Sequence, residues 1–422
     1  MKHAFVIAAP MSGSGKTTVA QGLMALFTKQ GYRVQPFKCG PDYIDTKFHE
    51  AVCHRPSVNL DTFMATADHV RRLFFHYGQD ADICIVEGMM GLFDGYDRER
   101  GSTYEIARTL DLPVVLVADA RSAAYSMAAL LQGFLNFRKD LRIAGIIFNK
   151  VGSEHHSQML RQVCADLNVA CLGCLPKQSG MEMSTRYLGL DFSVGVDTAS
   201  LCGFMEAYID LPQLWKHVGS DLGTTRTDVV SDVFPSRKYR VLMAQSPESF
   251  SFLYHEIVDS FGSLTTFNPE TDVPSLDDID LLYLPGGYPE KHLKSLASNK
   301  ACLQAICDYA ERGGRIQAEC GGMMYLCRHI VTDDGEYPLC GVLPYTITAR
   351  QADRKLSLGY RRFILDGREY RGHEFHYTQF MEPQPQSVVQ VYNALGQPVS
   401  TPVLRYKNVL ASYTHLSMTV TP

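Results

Sequence analysis

The run Ala8-Ala9-Pro10-Met11-Ser12-Gly13-Ser14-Gly15-Lys16-Thr17-Thr18 follows directly on the apolar stretch Ala4 to Ala9. It leads into an amphipathic pattern with Val19, Leu23, Leu26 and Phe27 on one side. Strand, glycine-rich turn and helix in this order are the context a phosphate-binding loop requires. Gly13 and Gly15 let the backbone curl so that the N–H groups from Gly13 to Thr18, Ser14 among them, point into one concavity at a helix N-terminus. Lys16 is placed to reach the β- and γ-phosphates of ATP, and the Thr17 hydroxyl to hold Mg²⁺. Pro10 stands where the usual pattern has glycine. The plainer reading, a strand-to-helix turn with an ordinary lysine, does not explain Gly-Lys-Thr-Thr behind a buried strand.

At 422 residues the chain is longer than one compact core, and two or three domains are expected. A net charge of −5 shows no basic field, so nucleic acid is not an expected partner and a cytoplasmic enzyme is. No run approaches the ~20 apolar residues of a membrane span. Lys2 with Phe5 to Ala9 is too short for a secretory leader and runs into the phosphate loop without a cleavage site. Cys171 and Cys174 form a close pair among twelve scattered cysteines, without a second pair to complete a zinc site. Small core residues in a reducing compartment are expected.

Runs at Arg33 to Lys38, Ile83 to Glu87, Pro113 to Asp119, Ile143 to Asn149 and Val169 to Leu175 alternate with helical patterns. They predict a parallel sheet covered on both faces, with ligands at the carboxyl ends of its strands. The second strand continues into Gly40-Pro41-Asp42-Tyr43-Ile44-Asp45. Here Lys38 can approach phosphate from the side opposite Lys16, while a polar turn with a solvated lysine is an equal reading. The third ends in Glu87-Gly88-Met89-Met90-Gly91-Leu92-Phe93-Asp94-Gly95. Glu87 takes the place of the acidic Mg²⁺ partner of P-loop proteins, and Asp94 faces the same cleft. Asn149, closing the fifth, offers donor and acceptor to a purine edge, a simple loop asparagine being the alternative. From Pro176 to about Arg237 the alternation fades. The first domain is expected over 1–195, its end and a linker over 196–237, and a second domain over 238–422.

In that second half a strand ends in Ala318-Glu319-Cys320-Gly321-Gly322, and a helix follows at once. A sharp turn of this kind lifts a nucleophile above a sheet edge, beside backbone donors expected to lower the thiol pKa and stabilise an oxyanion. Pro285-Gly286-Gly287-Tyr288-Pro289-Glu290 can supply a further donor at Gly287. His415 is the candidate base, with His373 and His376 as competitors, and a buried inert cysteine is the structural alternative.

Taken in order, SGSGKTT, FKCGPDYID, NLD at Asn59 to Asp61, VEGMMGLFDG, FNKVGS, LPGGYPE, AECGGMMYL, LGYR at Leu358 to Arg361, GHEFHYT and SYTHLS span nearly the whole chain. In this order they resemble the cobyrinic acid a,c-diamide synthase family, with Ni-sirohydrochlorin a,c-diamide synthase as its sibling. The resemblance implies an α/β protein with an N-terminal P-loop domain like that of dethiobiotin synthetase. A C-terminal α/β glutamine amidotransferase domain of class I type follows. It implies Cys320 as nucleophile, His415 as base, and oxyanion donors at Gly287 and Gly321. Lys16, Thr17 and Lys38 then serve ATP, Thr17, Glu87 and Asp45 hold Mg²⁺, and Asp42, Tyr43, Asp45 and Asp94 line the site for a tetrapyrrole polyacid. The implied partners are that macrocycle and L-glutamine, with a homodimer left open. Ser417 replaces the glutamate that related amidotransferases often carry two residues after the histidine, and Ala244 to Phe252 diverges. Alternatives are the same chemistry on Ni-sirohydrochlorin, cobyric acid synthase, and a ParA/MinD-like switching ATPase.

Overall fold

The structure, a computed structural model, describes residues 3–177, 197–219 and 237–417. The chain divides into two compact units, Met1–Val233 and Phe234–Pro422.

The first unit alternates β1 (His3–Ala8), α1 (Lys16–Lys29), β2 (Val34–Cys39), α2 (Asp45–Cys53), β3 (Val58–Leu60), α3 (Ala67–Gly78), β4 (Ile83–Glu87), α4 (Thr103–Leu110), β5 (Val114–Asp119), α5 (Met127–Phe137), β6 (Ile143–Val151), α6 (Glu154–Asp166) and β7 (Cys171–Pro176). Two helices, α7 (Thr198–Tyr208) and α8 (Leu211–Val218), follow. The strands form one parallel sheet in the order β3-β2-β4-β1-β5-β6-β7. Phe5, Val6, Ile7, Ile83, Ile85, Val115 and Val117 are fully buried, as central strands of a two-faced sheet require. Helix starts are set by side-chain caps: Thr66 accepts from the His69 N–H, Ser102 from Glu105 and Ser153 from His156. Leu201, Met205, Leu214 and Val218 of α7 and α8 pack into the same core as β1 and α1. Part of the segment read from sequence as fading structure is therefore helical cover for the sheet. The short edge strand β3 was not visible as a period, because three residues after Pro56 are too few to show one.

The second unit contains β8 (Arg237–Ala244), α9 (His255–Asp259), β9 (Phe261–Phe267), β10 (Leu281–Leu284), α10 (Leu293–Ser298), α11 (Lys300–Glu311), β11 (Ile316–Glu319) and α12 (Gly321–Leu326). There follow β12 (Cys327–Thr332), β13 (Gly335–Pro338), β14 (Leu343–Thr348), β15 (Ser357–Leu365), β16 (Arg368–His376), β17 (Gln379–Phe380), β18 (Val391–Tyr392), β19 (Pro398–Val399), β20 (Val403–Tyr406), β21 (Val409–Ser412) and β22 (His415–Leu416). The central sheet runs β20-β21-β11-β10-β8-β9, parallel except for β20. A five-stranded antiparallel sheet, β19-β18-β15-β16-β22, carries the chain's last strand. Between Phe250 and Phe261 the only α-helix is α9. Ahead of it, the Ser246 hydroxyl accepts the Phe250 N–H and the Gly286 carbonyl accepts the Phe252 N–H, both at 2.9 Å. These local partners draw the backbone out of a helix.

Candidate active sites

The phosphate loop is pinned from outside itself. Gly13 and Gly15 take φ of 78° and 95°, the left-handed region open to glycine. The Asn149 amide donates to the Ser14 carbonyl at 2.9 Å, and Lys150 Nζ to the Gly13 carbonyl at 3.0 Å. A Cβ on Gly15 would lie 2.1 Å from Asn149 Nδ2, so that close approach needs glycine. Asn149 Oδ1 accepts the Lys150 N–H at 2.9 Å. Its donor thus holds the loop, while its acceptor takes the N–H of its own chain neighbour. Lys16 Nζ donates to the Met90 carbonyl at 2.5 Å, which sets the glycine run after β4 beside the loop. Leu92 N–H on the Ala9 carbonyl, at 2.8 Å, fastens the same two segments.

Behind the loop lies a buried charge cluster. Glu87 Oε1 accepts the Thr17 hydroxyl at 2.6 Å and the Lys38 ammonium at 3.0 Å. Lys38 also pairs with Asp45 and, at 3.8 Å, with Asp42. Its side chain is 0% exposed, which removes the solvated-lysine reading. Burial works against the Lys38 charge, but the carboxylates of Asp45, Glu87 and Asp42 overcome it and hold its pKa above the ordinary lysine value. Burial likewise opposes ionised Glu87, and Lys38, His49 and Thr17 reverse the sign and keep it well below the usual carboxylate range. Asp42 Oδ1 accepts the Ile44 and Asp45 N–H groups, fixing the turn before α2. Tyr43 is buried in that turn, and Asp94 Oδ2 accepts the Gly91 N–H at 3.0 Å. A hydroxyl and carboxylates are hard oxygen donors, the set Mg²⁺ prefers when substrate phosphates and water complete its shell. Among the described residues no three His, Cys, Asp or Glu side chains form an all-protein metal cage. Cys171 and Cys174 lie with Sγ atoms 3.9 Å apart as free thiols on β7.

In the second unit Cys320 sits between β11 and α12 at φ 46° and ψ −109°, a strained conformation for a non-glycine residue. Its N–H donates to the Ser412 carbonyl at 2.8 Å, tying the turn to the end of β21. A Cβ on Gly321 would meet the Gly287 nitrogen at 3.0 Å and its oxygen at 2.9 Å, and one on Gly286 would meet His415 Cε1 at 2.2 Å. The Gly286-Gly287 loop therefore lies against both the nucleophile's turn and the imidazole. His415 is 1% exposed on β22, opposite His373 of β16. His376 stacks on Tyr413 with ring centroids 3.6 Å apart, its Nδ1 bonded to the Thr378 carbonyl at 2.9 Å.

Burial, then the Glu290 carboxylate, push the Cys320 thiol pKa up; the Gly321 N–H of the turn lowers it as expected but is outweighed, and Glu374 and Glu319 add to the rise, so the net shift is upward. The imidazole shifts the other way. Burial, then His373 and His376, lower the His415 pKa to about 3, so the resting ring is neutral. Both shifts favour a resting neutral thiol and neutral imidazole over a standing thiolate–imidazolium pair.

Several residues here escaped sequence reasoning. His49, one helical turn after Asp45, bonds Glu87 Oε2 at 2.6 Å. Glu256 of α9 accepts the Ser417 hydroxyl at 3.0 Å in a buried contact, bringing a carboxylate to the strand where the sequence lacks one. Glu290, which acts on Cys320, also lines a cavity of about 550 Å³ with Lys291, His292, Lys294 and Arg354. The Pro-Glu step after the glycine pair was the available signal for Glu290. For Glu256, 161 residues from its partner, there was none.

Two family models match the chain. Residues 5–187 match the CobQ/CobB/MinD/ParA nucleotide binding domain, and residues 261–421 the CobB/CobQ-like glutamine amidotransferase domain. With the geometry above, they define the class: a ligase-type enzyme joining a nucleotide-binding parallel-sheet domain to a glutamine amidotransferase domain. The chain is 35% identical over 440 residues to the cobyrinate a,c-diamide synthase of Caldanaerobacter subterraneus subsp. tengcongensis, spanning 99% of this chain and 96% of that protein. It is 37% identical over 434 residues to the hydrogenobyrinate a,c-diamide synthase of Brucella abortus, spanning 98% of each. For the hydrogenobyrinate a,c-diamide synthase of Mycobacterium tuberculosis the figures are 34% over 444 residues, 99% of this chain and 95% of that one. The chain belongs to the cobyrinate and hydrogenobyrinate a,c-diamide synthase family. The amidotransferase domain sets aside the ParA/MinD-like reading, and the relatives named here do not favour the nickel macrocycle.

Proposed function

We propose that this enzyme converts the a- and c-acetate carboxylates of a cobyrinic acid-type macrocycle into amides, using ATP and glutamine nitrogen, within cobalamin biosynthesis. The observation that carries the reading is the presence, in one polypeptide, of the Thr17–Glu87–Lys38 cluster behind a phosphate loop and of the Gly286-Gly287 loop lying against both His415 and the Cys320-Gly321 turn.

In the amidotransferase unit Cys320 Sγ attacks the side-chain amide carbon of glutamine while His415 takes the thiol proton. The tetrahedral oxyanion rests on N–H groups of Gly287 and Gly321. The imidazolium returns its proton to the departing nitrogen, ammonia leaves, and water hydrolyses the thioester to glutamate.

In the first unit a macrocycle carboxylate oxygen attacks the γ-phosphorus of ATP and ADP departs. Lys16 and Lys38 offset charge on the transferring group. Thr17, Glu87 and Asp45 are the residues to hold Mg²⁺, which when bound neutralises phosphate charge. Ammonia then attacks the acyl phosphate carbon and inorganic phosphate leaves, giving the amide. Asp42 and Tyr43 follow β2 and Asp94 lies in the loop after β4, beyond the carboxyl ends of those strands, which supports assigning them to the macrocycle side. ATP is needed because a carboxylate is too poor an electrophile for an amine at neutral pH.

No helix among the described residues is long and apolar enough to cross a membrane. The free cysteines suit the reducing cytoplasm expected from the sequence. The test is incubation with ATP, Mg²⁺, glutamine and, in parallel, cobyrinic acid, hydrogenobyrinic acid or Ni-sirohydrochlorin, followed by product mass. Two successive amidations of cobyrinic or hydrogenobyrinic acid are expected. Turnover of the nickel macrocycle alone, or of none, contradicts the reading.

A further inference from the structure

Glu87 is a carboxylate at the end of a buried strand, and both of its oxygens are spoken for. Oε1 takes the Thr17 hydroxyl and the Lys38 ammonium, and Oε2 takes His49 Nε2 at 2.6 Å. An ionised carboxylate offers only acceptors, so His49 Nε2 carries the hydrogen of that bond. The other ring nitrogen, Nδ1, lies 3.0 Å from the Ser57 hydroxyl, which can donate to it. His49 and Glu87 are 0% exposed and Ser57 1%. The chain Ser57–His49–Glu87 is therefore closed off from water, and a histidine held at both nitrogens cannot turn without losing a bond.

The elements that supply this chain are the ones that shape the macrocycle side. His49 lies four residues after Asp45 on α2, one helical turn on, so the two side chains share a face. Asp45 reaches Lys38 while His49 reaches Glu87. Ser57 immediately precedes β3, whose Asn59 donates to the Gly40 and Asp42 carbonyls at 2.8 and 3.0 Å. We propose that His49, steadied by Ser57, is a positioning residue. It fixes the rotamer of Glu87 so that the oxygen beside the Thr17 hydroxyl is the one presented to a divalent cation at the phosphate loop. This rests on the reading of Thr17 and Glu87 as cation ligands. Partners that orient a ligand in this way govern affinity as well as rate.

The test compares wild type with His49→Leu, His49→Gln and Ser57→Ala by calorimetric titration of a non-hydrolysable ATP analogue at increasing Mg²⁺. Glutaminase activity serves as a control for folding. His49→Leu is expected to raise the Mg²⁺ needed for half-maximal nucleotide binding by about 10- to 100-fold. His49→Gln, whose amide can still donate, recovers most of that loss, and glutaminase activity is unchanged in both. An unchanged Mg²⁺ requirement in folded His49→Leu overturns the inference while leaving the phosphate-site reading intact. Should leucine prevent folding, Ser57→Ala keeps the ring in place: a several-fold rise supports the inference and none overturns it. Nucleotide binding by wild type that ignores Mg²⁺ overturns the ligand reading and this inference together.

Discussion

The backbone N–H of Cys320 donates to the Ser412 carbonyl at 2.8 Å. That bond joins the turn carrying Cys320 to the segment that, three residues later, carries His415. The two residues proposed as nucleophile and base are thus placed by backbone, and Gly286 and Gly321 are empty of side chain so that the segments can close.

Removing the thiol separates the two chemistries. Cys320→Ala is expected to abolish glutamine-dependent synthesis and glutaminase activity while sparing synthesis from added ammonia. Measuring both nitrogen sources in one preparation checks this, and equal loss of the two counts against it.

Gly286→Ala puts a methyl group where the imidazole now sits, its Cβ 2.2 Å from His415 Cε1. The ring must move by an ångström or so, which is expected to cost about 10²-fold in glutaminase kcat. Ammonia-dependent synthesis is expected to stay near wild type, and a glutaminase rate within twofold of wild type contradicts the placement.

Lys38 is the buried counter-charge of three carboxylates. Lys38→Met leaves Glu87 and Asp45 uncompensated, and breaking a buried pair in this way costs about 3–5 kcal/mol. Synthesis from either nitrogen source is expected to vanish and the thermal midpoint to fall in scanning calorimetry. An unchanged midpoint would place the lysine in solvent after all.

Much of this was written in the sequence, and the remainder has physical reasons for being hidden. The phosphate loop, Glu87 and Cys320 announce themselves because each breaks an apolar strand at its carboxyl end, where side chains open onto ligand. Lys38 was ambiguous, because its burial depends on Asp42, Asp45 and Glu87 converging from separate segments. His49 was silent: a histidine on a short helix has no pattern that tells a carboxylate's partner from a core residue. The net rise of the thiol pKa was not legible: a Cys-Gly-Gly turn specifies the backbone donor that lowers it, but says nothing of the burial, or of Glu290 and Glu374 nearby, that outweigh that donor.

The lowered His415 pKa makes acid stability a readout of the site. Its folded value of about 3 lies below the unfolded value of ~6.5, with burial the main cause and His373 and His376 adding to it. Between those values the unfolded chain binds a proton that the folded site refuses. This contribution is therefore complete above pH ~6.5 and is lost as pH falls toward 3, by up to ~1.4 kcal/mol per pH unit. His415→Asn is expected to show a shallower decline of denaturant midpoint than wild type across that window. Parallel declines contradict a buried, neutral imidazole.

The most direct test of two chemistries in one chain follows the nitrogen itself. Wild type is incubated with ATP, Mg²⁺, the preferred macrocycle and glutamine carrying heavy nitrogen in its side-chain amide, with ordinary ammonium added in the Cys320→Ala reaction. Label in both new amides of the wild-type product, and unlabelled amides from Cys320→Ala, are the predicted results. Product from wild type without label, or ADP release without any amide formed, would contradict the account.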